Sequence, residues 1–306
     1  GNDHDRMQAL RDFSHAVEAA SRRALQDCVS ALQSSVVDGR ITHIVDDSEI
    51  ASIELKEIDG NIMLPFRPIV FAGDDVTFVC DGRLGLSLAL MYLRKFEEHT
   101  RNLPDGKGAA TACAGVSIVK AHYPFARAYA LAEELCRSAK DYRARVNHER
   151  EGEELGACID WHFALGGMSG GLREIREREY KAAPGDLTLR PVAVGADEVH
   201  QHRSWIAVEA GIRCFQSEEW RSKRNKIKAL RETLRLGADR VKAFREGYLD
   251  SKHLPELPVA GTGEYLDTGW RDGRCMYFDA IELADWFVPL REEGQDELAV
   301  AGEVSV

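Results

Sequence analysis

Between residues 5 and 38 the apolar side chains fall at positions 7, 10, 13, 17, 20, 25, 28, 32 and 36, close to helical spacing, and the run stops at Asp38-Gly39. A long amphipathic helix is predicted there. Alternating segments at 41–45 and 50–58, broken by Asp46-Asp47-Ser48, predict a small hairpin. Residues 62–73 (IMLPFRPIVFAG) and 76–80 (VTFVC) read as two β-rich strands around a short Gly73-containing turn, closed by Asp81-Gly82. Residues 83–99 predict a helix apolar nearly all round at its start and therefore well buried. A buried strand at 111–124, a third amphipathic helix at 125–146 and a strand at 157–165 follow.

The order of these main elements is helix, strand, strand, helix, strand, helix, strand. The first residue is Gly1 rather than Met, and a strand preceding it would complete βαββαβ, a ferredoxin-like split βαβ arrangement. After Gly166-Gly167 the pattern becomes irregular through 203, punctuated by Pro184-Gly185 and Pro191. Helical spacing returns at 204–215, 217–249 and 277–288. The expected organisation is α+β: a palm-like domain over 1–166, a loop-rich connection over 167–203 and a mainly helical domain over 204–306.

Composition adds limits. The chain has 306 residues, of which 44% are apolar and 30% charged, the balance of a water-soluble globular protein of one large domain or two ordinary ones. No stretch approaches the apolar run of about 18 residues that a membrane span requires, and no signal-peptide pattern opens the chain. The seven cysteines form no CxxC and no His/Cys cluster, which favours reduced thiols in the cytoplasm over zinc or a disulfide framework. His200 and His202 lack neighbouring Cys or acid partners and read as surface histidines. A formal charge of −11 argues against a surface broadly devoted to nucleic acid. It leaves room for a local basic face at WRSKRNKIKALR (220–231), where Arg221, Lys223, Arg224, Lys226 and Lys228 offer a solvated helix surface by default, or a contact with RNA backbone or a partner protein.

The chemistry concentrates at the turn. Asp74 and Asp75 repel each other and do nothing to close a hairpin, yet they stand between two apolar strands. Mg²⁺ prefers oxygen ligands and commonly takes one or two carboxylates together with substrate phosphates. Gly73 would let a ligand approach the backbone. A third acid is expected at a neighbouring strand end, and the opening GNDHD supplies Asp3 and Asp5 as candidates. Read alone, the pair fits a solvated turn equally well, because Asp is common in turns.

FAGDDVTFVC (71–80), CAGVSIVKAHYP (113–124) and RAYALAEELCRSAK (127–140) together resemble the palm domain of nucleotidyl cyclases and polymerases. The resemblance is closest to the palm of the large, cyclic-oligoadenylate-making subunit of type III CRISPR effector complexes, and more distant to GGDEF diguanylate cyclases. RNKIKALRETLRLG (224–237) and YFDAIELADWFVPL (277–290) are similar to the C-terminal helical portion of that subunit. The resemblance implies that Asp74 and Asp75 are metal-binding acids, that Gly73 is the second glycine of a GGDD-like motif, and that Lys140 contacts a triphosphate. Lys120 and His122 are second-tier ligand candidates, and Asp3 stands in for the first-strand acid. Ala72 replaces the motif's first glycine. The implied activity is conversion of ATP or GTP to cyclic nucleotides or oligonucleotides by Mg²⁺- or Mn²⁺-dependent phosphoryl transfer, with pyrophosphate released, in antiviral defence alongside partner proteins. The alternatives are a degenerate palm that binds nucleotide or supports an assembly, and a template-directed polymerase palm.

Overall fold

The computed structural model describes residues 3–106, 108–149, 154–166, 170–195, 201–249, 253–257, 261 and 263–291. It is a mixed α+β structure in two units, and the chain passes between them more than once.

The first unit takes Gly1–Ile44, Glu49–Ala112 and Phe287–Val306. Its elements begin with helix α1 (Asp3–Ser34) and the strands β1 (Val36–Val37), β2 (Arg40–Val45) and β3 (Ser48–Glu54). Two hairpins follow, β4 (Lys56–Ile58) with β5 (Asn61–Met63) and β6 (Phe66–Ala72) with β7 (Asp75–Cys80), and then α2 (Gly85–His99). On α1 the buried positions are Ala20, Ser21, Ala24, Cys28, Ala31 and Leu32, recurring every three or four residues so that one stripe faces inward. Ala24, Cys28, Ala31 and Leu32 share one buried cluster with Leu88, Met91, Tyr92 and Phe96 of α2. Leu32 and Leu88 are wholly enclosed, and each such burial contributes about 1.5–3 kcal/mol. The predicted stripe is only half used: Met7 and Leu10, in the helix's first turns, are 54% and 67% exposed.

Alternation along β7 sends Val76, Phe78 and Cys80 onto this core, joined from β6 by Phe66. Residues 288–290 return to the same core. Val288 donates its N–H to the Arg83 carbonyl at 3.1 Å, Ser87 donates its hydroxyl to the Val288 carbonyl, and Val288 and Leu290 are buried.

The second unit takes Val45–Ser48 and Cys113–Trp286. Strand β8 (Cys113–Val119), helix α3 (Phe125–Glu149) and strand β9 (Cys158–Ala164) form a crossover whose strands pair in parallel, from Cys113↔Cys158 to Val119↔Ala164. Gly115 permits close approach of helix and strand: a Cβ there would lie 2.2 Å from the Ala132 carbonyl oxygen and 2.3 Å from the Cys136 nitrogen. Helix α4 (Leu172–Glu179) and strands β10 (Lys181–Ala182), β11 (Gly185–Asp186) and β12 (Val192–Ala193) come next. Strand β12 pairs antiparallel with β9. Helices α5 (Trp205–Gln216), α6 (Glu218–Arg221), α7 (Arg224–Arg235), α8 (Ala238–Tyr248) and α9 (Tyr265–Thr268) precede β13 (Trp270–Arg271), β14 (Arg274–Cys275) and α10 (Phe278–Ala284). The predicted helix over 217–249 is thus three helices. One break falls at Gly237, whose φ of +94° cannot continue a helix.

A buried ionic cluster fastens this unit. The Arg190 guanidinium donates to the Trp161 carbonyl at 2.9 Å and to Glu282 at 2.7 Å, and lies 2.9 Å from Asp279. The Asp279 contact is off the hydrogen-bond direction and therefore purely Coulombic. Asp279 also accepts the Leu189 N–H at 2.6 Å, and Glu282 accepts from Arg231 at 2.9 Å. The Arg190 side chain is 1% exposed and lies 5.1 Å from the Trp161 ring and 5.2 Å from that of Tyr180. Beside it, Arg176 grips the buried Asp160 carboxylate with two bonds of 2.6 and 2.8 Å.

Two expectations change. The expected boundary at 166 with a separate helical domain from 204 does not hold, because β12 completes the β9 ladder and Arg190 ties β9 to α10. Strands and the later helices therefore share one unit, while residues 292–306 lie outside the described residues. A single βαββαβ sheet is not seen either: among the described residues, β6–β7 is a two-stranded ladder and β8 belongs to a three-stranded one, ordered β12-β9-β8.

Candidate functional site

The predicted turn at Gly73 is present, but it is shorter than the expected Gly73-Asp74-Asp75 because Asp75 already belongs to β7. Ala72 pairs with Asp75 across the β6–β7 ladder, leaving Gly73 and Asp74 as a two-residue loop. Gly73 has φ +63°, as the first position of a type II′ turn requires. Nothing lies within 4 Å of where its Cβ would stand, so its space is open. Asp74 and Asp75 are exposed, and no salt bridge among the described residues engages either carboxylate. Ala72 is outside the left-handed region and its methyl is exposed, so alanine costs the backbone nothing here.

Behind the turn lies α2. Tyr92 is hydrogen-bonded to Ser21 of α1 at 2.9 Å. Burial raises the Tyr92 phenol above its ordinary value, and the Asp74 charge adds to the shift. On the flank, Arg22 sits 5.1 Å from the Phe71 ring. An open groove of about 500 Å³ is lined there by Arg22, Leu25, Gln26, Val29, Ser30 and Phe71.

The remaining candidates do not gather at the turn. Asp3 begins α1, about 27 Å along the helix axis from the level of Ser21 at 1.5 Å per residue. It is therefore no partner for Asp74, and the expectation of Asp3 as the third acid is corrected on that distance. Among the described residues, no group of three or more His, Cys, Asp and Glu is arranged to hold a metal ion.

Lys120, His122 and Lys140 belong to the second unit, and all three are exposed. Lys140 stands close enough to Cys113, at the start of β8, to depress its thiol electrostatically. Lys120 and His122 follow the other end of that strand, about 23 Å away at 3.3 Å per residue. Because α3 runs back along β8, its lysine and the strand-exit residues face opposite ends and form no common site.

The basic stretch is largely engaged internally. Arg221 donates to the Val45 carbonyl at 2.7 Å, Lys223 pairs with Glu219 at 3.4 Å and Arg224 with Asp285 at 3.6 Å. Lys226 lies 5.4 Å from the Tyr248 ring, and Lys228 is exposed. His202 is mostly buried, 3.6 Å from Asp272, and His200 lies outside the described residues.

Sequence reasoning missed the ionic cluster of the second unit. A signal was available: Asp279 and Glu282 stand three apart on one face of an otherwise apolar helix. His162, next to this cluster, is pushed down to about 4 by burial and by the Arg190 and Arg176 charges, so it is neutral at pH 7 and belongs to the core.

No family model matches the chain, and a comparison with curated proteins gives no match. Among the described residues no helix is long and apolar enough to cross a membrane.

Proposed function

We propose that the chain is a metal-dependent nucleotidyltransferase or nucleotide cyclase acting on ATP or GTP, with the β6–β7 turn as its metal-binding edge. The observation that carries this is the pair of adjacent, exposed carboxylates, unpaired by any cation among the described residues, on a turn whose glycine leaves the backbone open. Adjacent like charges at a hairpin tip cost stability unless a cation offsets them. The donor set is two hard oxygen ligands, which fits Mg²⁺ or Mn²⁺ with the remaining positions left to water and phosphate.

When bound, such an ion lowers the pKa of an attacking ribose hydroxyl and neutralises charge on the phosphates. The protein's own part is positional. Asp74 and Asp75 hold the ion, and the β6–β7 ladder and the Phe66, Val76 and Phe78 contacts fix the turn on the core. Gly73 keeps side-chain bulk away from the approaching nucleotide. The reading rests on this hairpin alone; Lys120, His122 and Lys140 carry none of it.

The palm reading belongs to the same proposal as an order of elements along the chain, α1, β6–β7, α2 and the β8–α3–β9 crossover, and not as one shared sheet. So do a cytoplasmic setting, CRISPR-type antiviral signalling, partner proteins of such a complex, and RNA contact through residues 221–228, where Arg224 and Lys228 are exposed. A second reading, a palm that binds nucleotide without turnover, draws on Ala72, whose exposed methyl adds bulk beside the turn.

The test is incubation with labelled ATP or GTP and Mg²⁺ or Mn²⁺, with pyrophosphate and cyclic products measured. Turnover lost in Asp74→Ala and in Asp75→Ala is the expected result. Product formation unchanged by either substitution overturns the assignment, and nucleotide binding without product selects the second reading.

A further inference from the structure

We propose that Cys113 and Cys158 are a redox-active pair, closing a reversible disulfide across β8 and β9 when a small-molecule disulfide such as oxidised glutathione reaches the start of β8. The inference is independent of the hairpin's function. It starts from register: the two residues are directly opposite in a parallel ladder. Neighbouring strands run about 4.7–4.9 Å apart, inside the Cα separation of about 4.4–6.8 Å that a disulfide spans.

Both side chains also share a face. Cys158 is wholly buried in a cluster with Ala139, Tyr142, Val146, Leu155 and Ala193, and Cys113 packs on that cluster from its edge. Cys158 directs its own thiol hydrogen to the Gly156 carbonyl at 3.8 Å, just before β9. The two thiols differ in accessibility, as an attacking and a resolving thiol should. Cys113 is partly exposed, whereas Cys158 has no exposed surface.

The electrostatics agree with this division. The neighbouring Cys158 thiol holds the Cys113 thiol below its ordinary value, helped by the Arg143 and Lys140 charges. The same pairing, with burial, holds the Cys158 thiol up. Cys113 is thus the thiolate that attacks first. Its sulfur bonds to one sulfur of oxidised glutathione, the glutathione S–S bond breaks, and one glutathione thiolate leaves with the electron pair. The mixed disulfide carries no charge at Cys113, which removes the Coulombic barrier to ionising Cys158. Cys158 then gives its proton to solvent and attacks the Cys113 sulfur, expelling the second glutathione thiolate. Two protein thiols are oxidised, and one glutathione disulfide is reduced to two thiols.

The experiment is peptide mapping of the full chain after treatment with oxidised glutathione, unreacted thiols being blocked under denaturing conditions. A peptide linking Cys113 to Cys158 is expected, absent after dithiothreitol, with Cys28 and Cys275 still thiols. Cys158→Ser is expected to trap glutathione on Cys113, and Cys113→Ser to leave residue 158 unmodified. Three results on the native chain overturn the proposal: Cys113 still reduced, Cys113 stopped at the glutathione adduct, or Cys113 joined to Cys136, whose sulfur lies 3.4 Å from its carbonyl oxygen. The native chain carries the decision, so a poorly folding variant leaves it intact.

Discussion

Arg190→Met is the most informative perturbation of the fold, because it deletes one charge from a buried cluster and leaves an identifiable orphan. Glu282 keeps Arg231 at 2.9 Å, but Asp279, 1% exposed, loses the only cation with which it forms a salt bridge among the described residues. Breaking a buried pair in this way costs about 3–5 kcal/mol. The orphan's cheapest escape is to take up a proton, at about 1.4 kcal/mol for each pH unit above the ordinary carboxyl value of 3.8. That limits the penalty to about 5 kcal/mol at pH 7.5 and to about 2.3 kcal/mol at pH 5.5.

The sign follows from proton uptake. Burial already raises Asp279, and removing Arg190 raises it further, so the folded variant binds more protons than its unfolded chain above pH 3.8. Its deficit therefore shrinks as pH falls. His162, freed from the Arg190 charge that depresses it, moves the difference in the same direction. Urea unfolding of native and variant proteins at pH 7.5 and 5.5, followed by tryptophan fluorescence, measures the effect. The double variant Arg190→Met with Asp279→Asn keeps an acceptor for the Leu189 N–H and removes the orphan charge, so most of the pH dependence should vanish. A deficit below about 1 kcal/mol at pH 7.5, or one equal at both pH values, refutes the reasoning.

Three further outcomes follow from local geometry. Gly115→Ala drives a methyl into the α3 backbone, so a loss of about 3 kcal/mol or more is expected in thermal or urea unfolding, and a neutral result would contradict the packing. Gly73→Ala meets open space but a φ of +63°, so it should cost only about 1–2 kcal/mol, a difference chemical denaturation resolves. Ser204 caps α5 by accepting the Ala207 N–H at 3.3 Å; Ser204→Ala should lower stability by about 1 kcal/mol, with Ser204→Asp restoring it.

What the sequence disclosed followed the reach of the forces involved. The 83–99 helix and the Gly73 turn were legible because burial on all sides and a two-residue loop leave strong local patterns. The same local logic missed where the units divide. The pairing of β12 with β9 joins residues more than 30 apart, and the Arg190 contacts with Asp279 and Glu282 join residues about 90 apart, with no periodicity to announce them. At the candidate site the carboxylate pair was readable as neighbours in sequence. Asp3 was misplaced because a continuous helix carries it a whole domain's breadth from the turn, and Lys140 because α3 runs back along β8. Ala72 looked like a defect beside a glycine motif, yet only Gly73 occupies the conformation that demands glycine.

Binding of Mn²⁺ with a non-hydrolysable ATP or GTP analogue, followed by electron paramagnetic resonance, tests the role of the hairpin carboxylates most directly. The native chain should immobilise Mn²⁺ in the presence of nucleotide, and Asp74→Asn, Asp75→Asn and the double variant should release it while remaining folded. Equal Mn²⁺ binding by the native chain and the double variant, or none by either, would contradict the assignment of this turn as the metal edge.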